Sequence, residues 1–578
     1  MADGEILKKL EDSTKDAVAV QLQTLHTILQ RNGRSSYLQR YGASLDTGSF
    51  REAVPLSCYD DYADYIDRMA DGGGGDNDGD RPLLSVDPLV CFFNSSGTSS
   101  MKPKLIPYFD SPPSKAASHI AHQGSVAILR RLFPPRQSIN KVLWFIYAGN
   151  VTYTKGGFKA MAASAFPLQS NNKNPSPFLS TSASPREVIL GSNVEQQMYC
   201  HILCGLRNLD FIDGIRAPYA VGLIRAFALL ESKWEQICED LKCGFPSMEI
   251  TDIAMRDSVT EVLAGPQLDL SKRIRTICEG KNWGGIVGKL WPNVRYIKCV
   301  CTGSMEQYYQ KLKYYAGEIP VLGGDYFASE CCVGINLDIL QPPQLTGYVL
   351  LPTAAYFEFL PFNLDEEEIG DDAQETVDFS GVEVGMMYEI VVTTYRGFFR
   401  YRLGDVVRVV GFHNTSPEVE FVMRAPKTSA EILTERDLMT AMENFQLVLR
   451  TVKMPDVTEF SSFFDLDLIP KQLKIFVEVG GVLQDEKLQE LGSVLRRNFS
   501  SLEDGLGGVY KLRKGRGEVG PLLVSIVKPG SFNRLLKMAT ENGAPASQYK
   551  PPKIIRNLEI VHFMEGSALL TVSFDSSD

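Results

Sequence analysis

The stretch CFFNSSGTSSMKPKLIPY, residues 91–108, places a run of hydroxyl side chains, one glycine and two lysines between two apolar segments. Such a turn can donate several hydrogen bonds to one compact anion, from side chains and from backbone N–H groups near Gly97. Phosphate is the expected ligand. The P-loop pattern is absent from it, because Met101 precedes Lys102 and Pro103 follows. The nucleophile-elbow pattern GxSxG is absent from it as well. An ordinary Ser/Thr-rich surface turn is the alternative interpretation.

Length and composition bound the class of protein. The chain has 578 residues, which predicts two or more domains. Its net charge of −11 argues against nucleic acid and anionic membranes as partners. No apolar run reaches the ~20 residues of a membrane span, and the charged start MADGEILKKLEDSTKD has no signal-peptide core. We therefore expect a cytoplasmic protein, and a monomer.

Cysteine and histidine usage gives little sign of a metal centre. Eleven cysteines are scattered without a CxxC pair, which predicts reduced and mostly buried thiols. His119 and His122 could form half of a metal site on a helix, but no third ligand accompanies them in the sequence. A solvated helix face is the simpler interpretation.

The order of apolar segments predicts the domain organisation. Short strands alternate with helical stretches from about residue 85 to about residue 425, and a connector, APKTSAEIL, follows Arg424. Separate β and α signals come after it. The predicted fold class is α/β, with mixed sheets flanked by helices. We predict a large domain over 1–425, a hinge over 426–433 and a small α+β domain over 434–578.

Two polar clusters interrupt the strands of the large domain. GGDYFASECC (323–332) contains Glu330, a candidate magnesium ligand, since one or two protein carboxylates usually hold Mg²⁺ at nucleotide phosphates. A glutamate on a strand edge facing water is the alternative. FFRYRLGDVVRVVGF (398–412) predicts a strand, a Gly-Asp turn and a second strand, with Asp405 fixed at the turn. Asp405 could accept hydrogen bonds from vicinal hydroxyls, or simply cap the turn.

Two further places carry charges that need an explanation. PTAAYFEFLPF (352–362) buries Glu358 among aromatic residues, so this carboxylate either faces water or has a partner. SQYKPPKII (547–555) holds Lys550 and Lys553 in a proline-rich loop of the small domain. Either lysine could reach a phosphate site across the hinge, although a plain surface lysine is the alternative for each.

Taken in order along the chain, SSGTSSMKPK, DYFASE, YRLGD, Arg424 and a late lysine resemble the core motifs of the luciferase-like adenylating superfamily. Longer segments such as AAYFEFLPF and FFRYRLGDVVRVVGFHNTSPEVEF are similar to the plant acyl acid amido synthetases, the auxin-responsive family that conjugates hormone acids to amino acids. The resemblance covers nearly the full length. It implies a large adenylate-forming domain and a two-step ligase. A carboxylate attacks the α-phosphate of ATP, and an amino acid then displaces AMP.

The resemblance also implies roles for individual residues. Glu330 would bind magnesium and, with Lys550, act in catalysis, while Tyr326 would stack on adenine and Asp405 would hold the ribose hydroxyls. The remaining nucleotide contacts would be Ser95, Ser96, Thr98, Ser99, Lys104, Asp325, Ser329 and Arg424. The residues lining the substrate site would be Lys155, Ala162, Ala163, Ser164 and Tyr356. The implied cofactors are ATP and Mg²⁺, and the implied partners are a hormone carboxylic acid and a free amino acid.

Departures from the family pattern concern the nucleotide and the acid. Met101 and Phe327 stand where relatives carry glycine and would add bulk beside the nucleotide, and the connector after Arg424 looks about three residues short. Jasmonate is the favoured acid because of the GINLD and TAAYFEF context. Indole-3-acetate or a benzoate, conjugated by the same machinery, is the alternative. A non-catalytic binding protein with an altered nucleotide pocket is the alternative of a different class.

Overall fold

The structure is a computed structural model that describes residues 3–42, 46–73, 81–95, 103–169, 177–363, 375–426, 431, 433–481, 484–546 and 549–574. Its strands are β1 (Leu89–Asn94), β2 (Leu105–Phe109), β3 (Lys141–Trp144), β4 (Thr152–Tyr153), β5 (Lys159–Met161), β6 (Ile212–Tyr219), β7 (Tyr296–Val300), β8 (Val321–Leu322), β9 (Tyr326–Phe327), β10 (Cys332–Ile335), β11 (Tyr348–Leu350), β12 (Tyr356–Pro361), β13 (Met387–Thr393), β14 (Tyr401–His413), β15 (Ser416–Arg424), β16 (Val457–Asp465), β17 (Gln472–Val479), β18 (Leu522–Val527) and β19 (Ala568–Phe574).

The α-helices are α1 (Asp3–Lys15), α2 (Ala17–Asn32), α3 (Ser36–Gln39), α4 (Phe50–Ala53), α5 (Ala63–Ala70), α6 (Pro112–Leu132), α7 (Phe166–Gln169), α8 (Pro177–Thr181), α9 (Arg186–Ile189), α10 (Val194–Arg207), α11 (Ala220–Cys243), α12 (Ile253–Leu263), α13 (Leu268–Glu279), α14 (Ile286–Leu290), α15 (Tyr309–Ala316), α16 (Glu435–Thr451), α17 (Asp485–Arg497), α18 (Phe499–Asp504), α19 (Gly507–Gly515), α20 (Ser531–Glu541) and α21 (Leu558–Gly566). None of these described helices is long and apolar enough to cross a membrane.

A parallel sheet in the order β3-β6-β7-β8 forms one layer of the large domain. Its strands alternate with helices along the chain, as parallel strands require a crossover connection. The inner sides of α10 and α11 are buried with this sheet in one apolar cluster. Gly244 ends α11 at φ +81°, and a Cβ atom there would lie 2.3 Å from the carbonyl carbon of Gly265. Because β3 and β6 are parallel, their carboxyl ends lie at one edge of the sheet, and α11 begins at the end of β6.

An antiparallel sheet of seven strands, in the order β12-β13-β14-β15-β11-β10-β9, forms a second layer. A smaller sheet, in the order β2-β1-β5-β4, packs its apolar face into the same core. The hairpin of β1 and β2 carries the hydroxyl-rich loop at its end. Mixed sheets flanked by helices confirm the predicted α/β class.

The segment around Asp405 differs from the prediction. β14 runs without a turn from Tyr401 to His413, so the predicted Gly-Asp turn is wrong. Val391 of β13 pairs with Arg402, whereas Glu389 pairs with Val406, which leaves two extra residues on β14 between these pairs. Gly404 supplies the positive φ, +76°, that such a bulge needs. Asp405 thus lies in a bulge within one continuous strand.

The small domain has its own sheet, in the order β16-β17-β18-β19, and its own apolar core, whose residues run from Leu433 to Val572. The separate β and α signals predicted after the connector correspond to strands such as β17 and β18 and to helices such as α17. The domain limits and the hinge over 426–433 remain predictions, and residues 427–430 and 432 lie outside the described residues.

Glu358 is fully buried on β12 and has the partner that its burial demands. Arg400 donates three hydrogen bonds of 2.9–3.1 Å to its two oxygens, and Thr376 Oγ1 donates a fourth at 2.6 Å. Arg51 Nε lies 3.4 Å away. This confirms the expectation for a buried carboxylate, and it ties β12 to the segment that enters β14.

Candidate active site

Asp405 is nearly buried, and its two oxygens face different partners. Tyr326, on β9, donates a hydrogen bond of 2.6 Å from its hydroxyl to Oδ2. Arg424, which pairs with Asp405 across β14 and β15, places Nη1 2.6 Å from Oδ1. No hydrogen bond of good geometry reaches Oδ1 from the described residues, so this oxygen can still accept one. The bulge in β14 thus presents a charged acceptor that two neighbours hold in place.

Glu330 lies in the tight turn between β9 and β10, where Ala328 N–H donates to Cys331 O at 3.0 Å. Burial raises the pKa of its carboxyl group, the positive charges of Arg424 and Lys104 oppose that rise, and the negative charge of Asp405 adds to it. Among the described residues, none forms an ion pair with Glu330 within 4 Å. Glu330 and Asp405 therefore share one electrostatic environment, as the ligase interpretation requires.

The described ends of the hydroxyl-rich loop are joined to each other. Ser95 N–H donates to Lys104 O at 3.0 Å, and Lys104 N–H donates to Ser95 Oγ at 2.9 Å. The Lys104 ammonium lies 4.9 Å from the ring centre of Tyr59. The predicted phosphate contacts Ser96, Thr98 and Ser99, together with Met101, lie outside the described residues. The hairpin nevertheless delivers both ends of the loop to the vicinity of Glu330.

Lys550 reaches the large domain from the small one. Its ammonium stands 4.1 Å from the ring centre of Tyr219, the residue that ends β6. Burial raises the pKa of Glu435, the first residue of α16, and the charges of Arg424 and Lys550 are the two largest that oppose the rise. Lys550 is thereby linked, through Glu435 and Arg424, to the environment of Asp405.

Lys553, the other lysine of that loop, has a different position. It is buried in an ion pair with Glu459 of β16, and its ammonium also donates to Phe460 O at 3.2 Å. Tyr308 and Gln307 of the large domain donate to the same Glu459 carboxylate. Lys553 therefore joins the two domains and is not available to a phosphate.

Three residues next to the predicted site make other contacts. Asp325 accepts from Ser125 Oγ at 2.5 Å and lies 3.7 Å from Lys298 Nζ, so it faces α6 and β7. Its contact with the nucleotide stays a prediction. Ser329 accepts a hydrogen bond from Arg396 at its backbone oxygen. Phe327 packs edge-on against His122 at 4.8 Å, on the strand face opposite Tyr326. Whether Phe327 adds bulk beside the nucleotide stays a prediction.

The predicted substrate residues fall into two groups. Ala162, Ala163 and Ser164 follow β5 beside the end of β1, and the buried Ser164 hydroxyl has no hydrogen-bond partner among the described residues. Lys155 is exposed, pairs with Asp71 at 3.4 Å and lines an open groove of about 460 Å³. Tyr356 is 4% exposed inside the core, and burial raises its pKa to about 12. Its contact with the acid stays a prediction.

Several residues of the site carried no signal in the sequence. Arg396 stacks on the rings of Phe93 and Tyr108, at 5.1 and 5.3 Å, and thereby fixes the segment that contains Ser329. Tyr219 contacts the Lys550 ammonium with its ring, and Glu435 interacts with the charge of Lys550; the two residues belong to different elements. Their positions depend on how β6, α16 and the 549–553 segment meet, which no local pattern encodes.

Comparison with known proteins identifies the class. Models of the GH3 family match in three consecutive parts: the N-terminal domain over residues 6–321, the central domain over 348–424 and the C-terminal domain over 436–559. The chain belongs to the GH3 family. It is an amide-forming ligase that joins an acid to an amino acid.

The names of the relatives specify different acid substrates. The chain is 51% identical over 405 residues, 68% of its own length and 82% of the relative's, to probable indole-3-acetic acid-amido synthetase GH3.6 of Oryza sativa subsp. japonica. It is 34% identical to jasmonoyl–L-amino acid synthetase GH3.5 of the same organism, covering 95% of this chain and 94% of the relative. The solved structure of GH3.15 acyl acid amido synthetase matches with a TM-score of 0.83 at 30% identity, covering 98% of this chain and 97% of that one.

Proposed function

We propose that the protein activates a plant hormone carboxylic acid with ATP and transfers the acyl group to an amino acid. The acid's carboxylate attacks the α-phosphorus, pyrophosphate leaves, and the amine of the amino acid then attacks the acyl carbon while AMP leaves. The observation that carries this proposal is the shared environment of Glu330, Asp405, Arg424 and Lys550 at the boundary between the two domains. Arg424 and Lys550 are the donors of this set, and positioned donors stabilise the negative charge that develops around phosphorus.

The nucleotide is assigned to residues of the large domain. Asp405 would accept from the ribose hydroxyls, because its Oδ1 oxygen retains acceptor capacity while Arg424 and Tyr326 hold the group still. Tyr326 would present its ring to adenine. Ser95 and Lys104 would contribute to the phosphate loop together with Ser96, Thr98 and Ser99. Ser329 and Asp325 would support the adjoining segment through the contacts described above.

The carboxylate of Glu330 is a suitable ligand for Mg²⁺. Mg²⁺ at nucleotide phosphates usually takes one or two protein carboxylates, and no described cation lies within 4 Å of this one. A bound Mg²⁺ would neutralise charge on the phosphates. Burial raises the pKa of Glu330, so this carboxyl group holds its proton more tightly than an exposed glutamate does. Mg²⁺ must displace that proton in order to bind.

Indole-3-acetate is the first acid to test. The 51% identical relative carries that acid in its name, although the sequence context favours jasmonate, and jasmonoyl-forming relatives match over nearly the whole chain. Ala162, Ala163 and Ser164 would form part of the acid wall. Lys155, on the open groove, is retained as a candidate contact.

The small domain would move between the two steps. Lys550, whose ammonium lies over the ring of Tyr219, would act in one of the two steps. Rotation of the small domain about 426–433 would move Lys550 out of the site for the other step. Arg556 already contacts the connector on both sides, at Ala425 O (3.4 Å) and Glu431 Oε2 (2.6 Å). We also propose, from the sequence, a monomer that acts in the cytoplasm, which size-exclusion chromatography and a fluorescent fusion would test.

Pyrophosphate release tests the proposed activity. The full chain is mixed with ATP, Mg²⁺, each of indole-3-acetate, jasmonate and benzoate, and a mixture of amino acids. We expect release with at least one acid and an amide product in the same reaction. No pyrophosphate release with any of the acids, together with no ATP binding by calorimetry, would favour a non-catalytic binding protein with the same fold.

A further inference from the structure

A small cavity lies between the parallel sheet and the small domain. Its volume is about 30 Å³, space for one small polar group. Leu536, Ala546 and Tyr549 of the small domain line one side. The ends of β3 and β6 and the first turn of α11 line the other. Tyr219, on which Lys550 stands, belongs to this lining, so the cavity adjoins the catalytic lysine.

The first turn of α11 makes one wall of the cavity electropositive. α11 has 24 residues, and Tyr219 at its N-cap accepts no hydrogen bond with its side chain from the helix N–H groups. Val221 and Gly222, in that first turn, both line the cavity. The first N–H groups of a helix have no partner within it, and together with the helix dipole they favour an anion.

A buried hydroxyl group faces the same space. Tyr147 lines the cavity, is 8% exposed, and its hydroxyl has no hydrogen-bond partner among the described residues. Buried polar groups in folded proteins are nearly always hydrogen-bonded, so an unpartnered one marks a place where another acceptor belongs. The hydroxyl can donate to such an acceptor.

The guanidinium of Arg225 completes the set. Arg225 lines the cavity. Within the described part of the chain it forms no ion pair with a carboxylate and no side-chain hydrogen bond. Its guanidinium carbon lies 5.9 Å from the ring centre of Tyr549. The nearby carboxylate of Glu459 is already bound by Lys553 and Tyr308. A cation, a hydroxyl donor and the first N–H groups of α11 thus lie on one cavity, and no acidic residue is among its described lining residues.

We propose that this cavity binds the α-carboxylate of the amino acid substrate, through Arg225, the Tyr147 hydroxyl and the N–H groups at the start of α11. The inference rests on the proposed function. The carboxylate of the acid is consumed in the bond to phosphorus, whereas that of the amino acid stays charged through both steps and needs a counter-charge. A planar guanidinium suits it because it can donate two parallel hydrogen bonds. The position beside Lys550 and Tyr219 places the amino acid at the domain boundary, where its amine can approach the acyl carbon.

The test compares amino acids with their carboxamides, which lack the charge. Binding of a panel of L-amino acids and of the matching carboxamides is measured by calorimetry on the full chain with AMP present. Variants are Arg225→Met, Arg225→Lys and Tyr147→Phe, and Lys242→Met serves as control, because Lys242 is exposed at the far end of α11 and pairs with Glu239. Melting temperatures show that each variant folds.

We expect the parent and the control to bind at least one free amino acid about tenfold or more tightly than its carboxamide, and Arg225→Met to lose this preference. Arg225→Lys should keep part of it, and Tyr147→Phe should reduce it by a smaller factor. Equal binding of acid and amide by the parent, or an unchanged preference in folded Arg225→Met, would overturn the proposal. ATP–pyrophosphate exchange with the hormone acid alone needs no amino acid. Its absence in the parent would count against the proposed activity, while a carboxylate preference that depends on Arg225 would still support the cavity.

Discussion

The hydroxyl of Tyr326 and the carboxylate of Asp405, 79 residues apart in the chain, are joined by a hydrogen bond of 2.6 Å, while Arg424 lies 2.6 Å from the other oxygen of Asp405. The phenol and the guanidinium fix the carboxylate in one orientation. A group held in this way can accept further hydrogen bonds from a ligand without first losing conformational freedom.

Replacement of Asp405 should weaken nucleotide binding with little change of fold. Asp405→Asn removes the charge and keeps the shape, so we expect ATP affinity to fall about tenfold or more, as charge-assisted hydrogen bonds are lost. Tyr326→Phe, which keeps the carboxylate and removes only one neutral donor, should cost about 1 kcal/mol of binding or less. Calorimetric titration with ATP measures both. Equal affinity in Asp405→Asn and the parent would remove the ribose assignment.

Glu330→Gln should change both metal dependence and stability. The folded state retains the Glu330 proton more strongly than the unfolded state, because burial raises the pKa of the group. The stability that this proton contributes is present below the ordinary pKa of 4.5 and is lost as pH rises through the raised value. Glutamine stays neutral, so the metal-free variant should melt above the parent at neutral pH, and the difference should shrink on acidification.

Mg²⁺ supplies the control for this prediction. With ATP present, added Mg²⁺ should stabilise the parent at neutral pH much more than Glu330→Gln, and the variant should need more of the ion for activity. Matching melting curves for the two metal-free proteins across pH would contradict the burial effect on Glu330, and identical Mg²⁺ dependence would place the metal on another residue.

The ring of Tyr219 should position Lys550. Tyr219→Phe keeps the aromatic face below the ammonium, whereas Tyr219→Leu removes it, and an interaction of this type contributes about 0.5 to 2 kcal/mol. We expect Tyr219→Leu to slow the step that uses Lys550 several-fold, and Tyr219→Phe to resemble the parent. Single-turnover rates of adenylate formation and of amide formation identify the step. Equal slowing by Phe and Leu would indicate that the phenol hydroxyl, not the ring face, matters.

Lys553 should contribute to stability and domain docking. Lys553→Met leaves the buried Glu459 without its cation and should destabilise the protein by about 3 kcal/mol. Adding Glu459→Met removes the uncompensated charge and should recover most of that loss. Urea unfolding of the two single variants and the double variant measures the coupling. A double variant as unstable as the sum of both single variants would show that the ion pair is not a unit.

The sequence predicted the fold well where one local pattern sufficed. The alternation of apolar residues located the strands and long helices, and the burial of Glu358 among aromatic residues required the partner that Arg400 provides. The same local reasoning placed a turn at Gly404 and Asp405. A glycine with positive φ serves a bulge equally well, and only the pairing of β14 with β13 distinguishes the two.

The sequence suggested candidate site residues for a similar reason. Glu330 and Asp405 were proposed because a lone charge in an apolar segment is visible in sequence, and the two carboxyl groups lie close enough to interact. Asp325 was named from the family resemblance and Lys553 as a lysine of the same loop as Lys550, yet their partners Lys298 and Glu459 come from distant segments. Whether a charge serves a ligand or another residue depends on tertiary contacts that spacing does not reveal.

The fate of the acid's oxygen tests the central claim most directly. The hormone acid is labelled with heavy oxygen in its carboxylate, incubated with the full chain, ATP, Mg²⁺ and an amino acid, and the nucleotide products are analysed by mass spectrometry. Attack on the α-phosphorus transfers one heavy oxygen to AMP, and this is the result we predict. An amide product accompanied by unlabelled AMP, or by heavy oxygen in inorganic phosphate, would contradict an acyl adenylate.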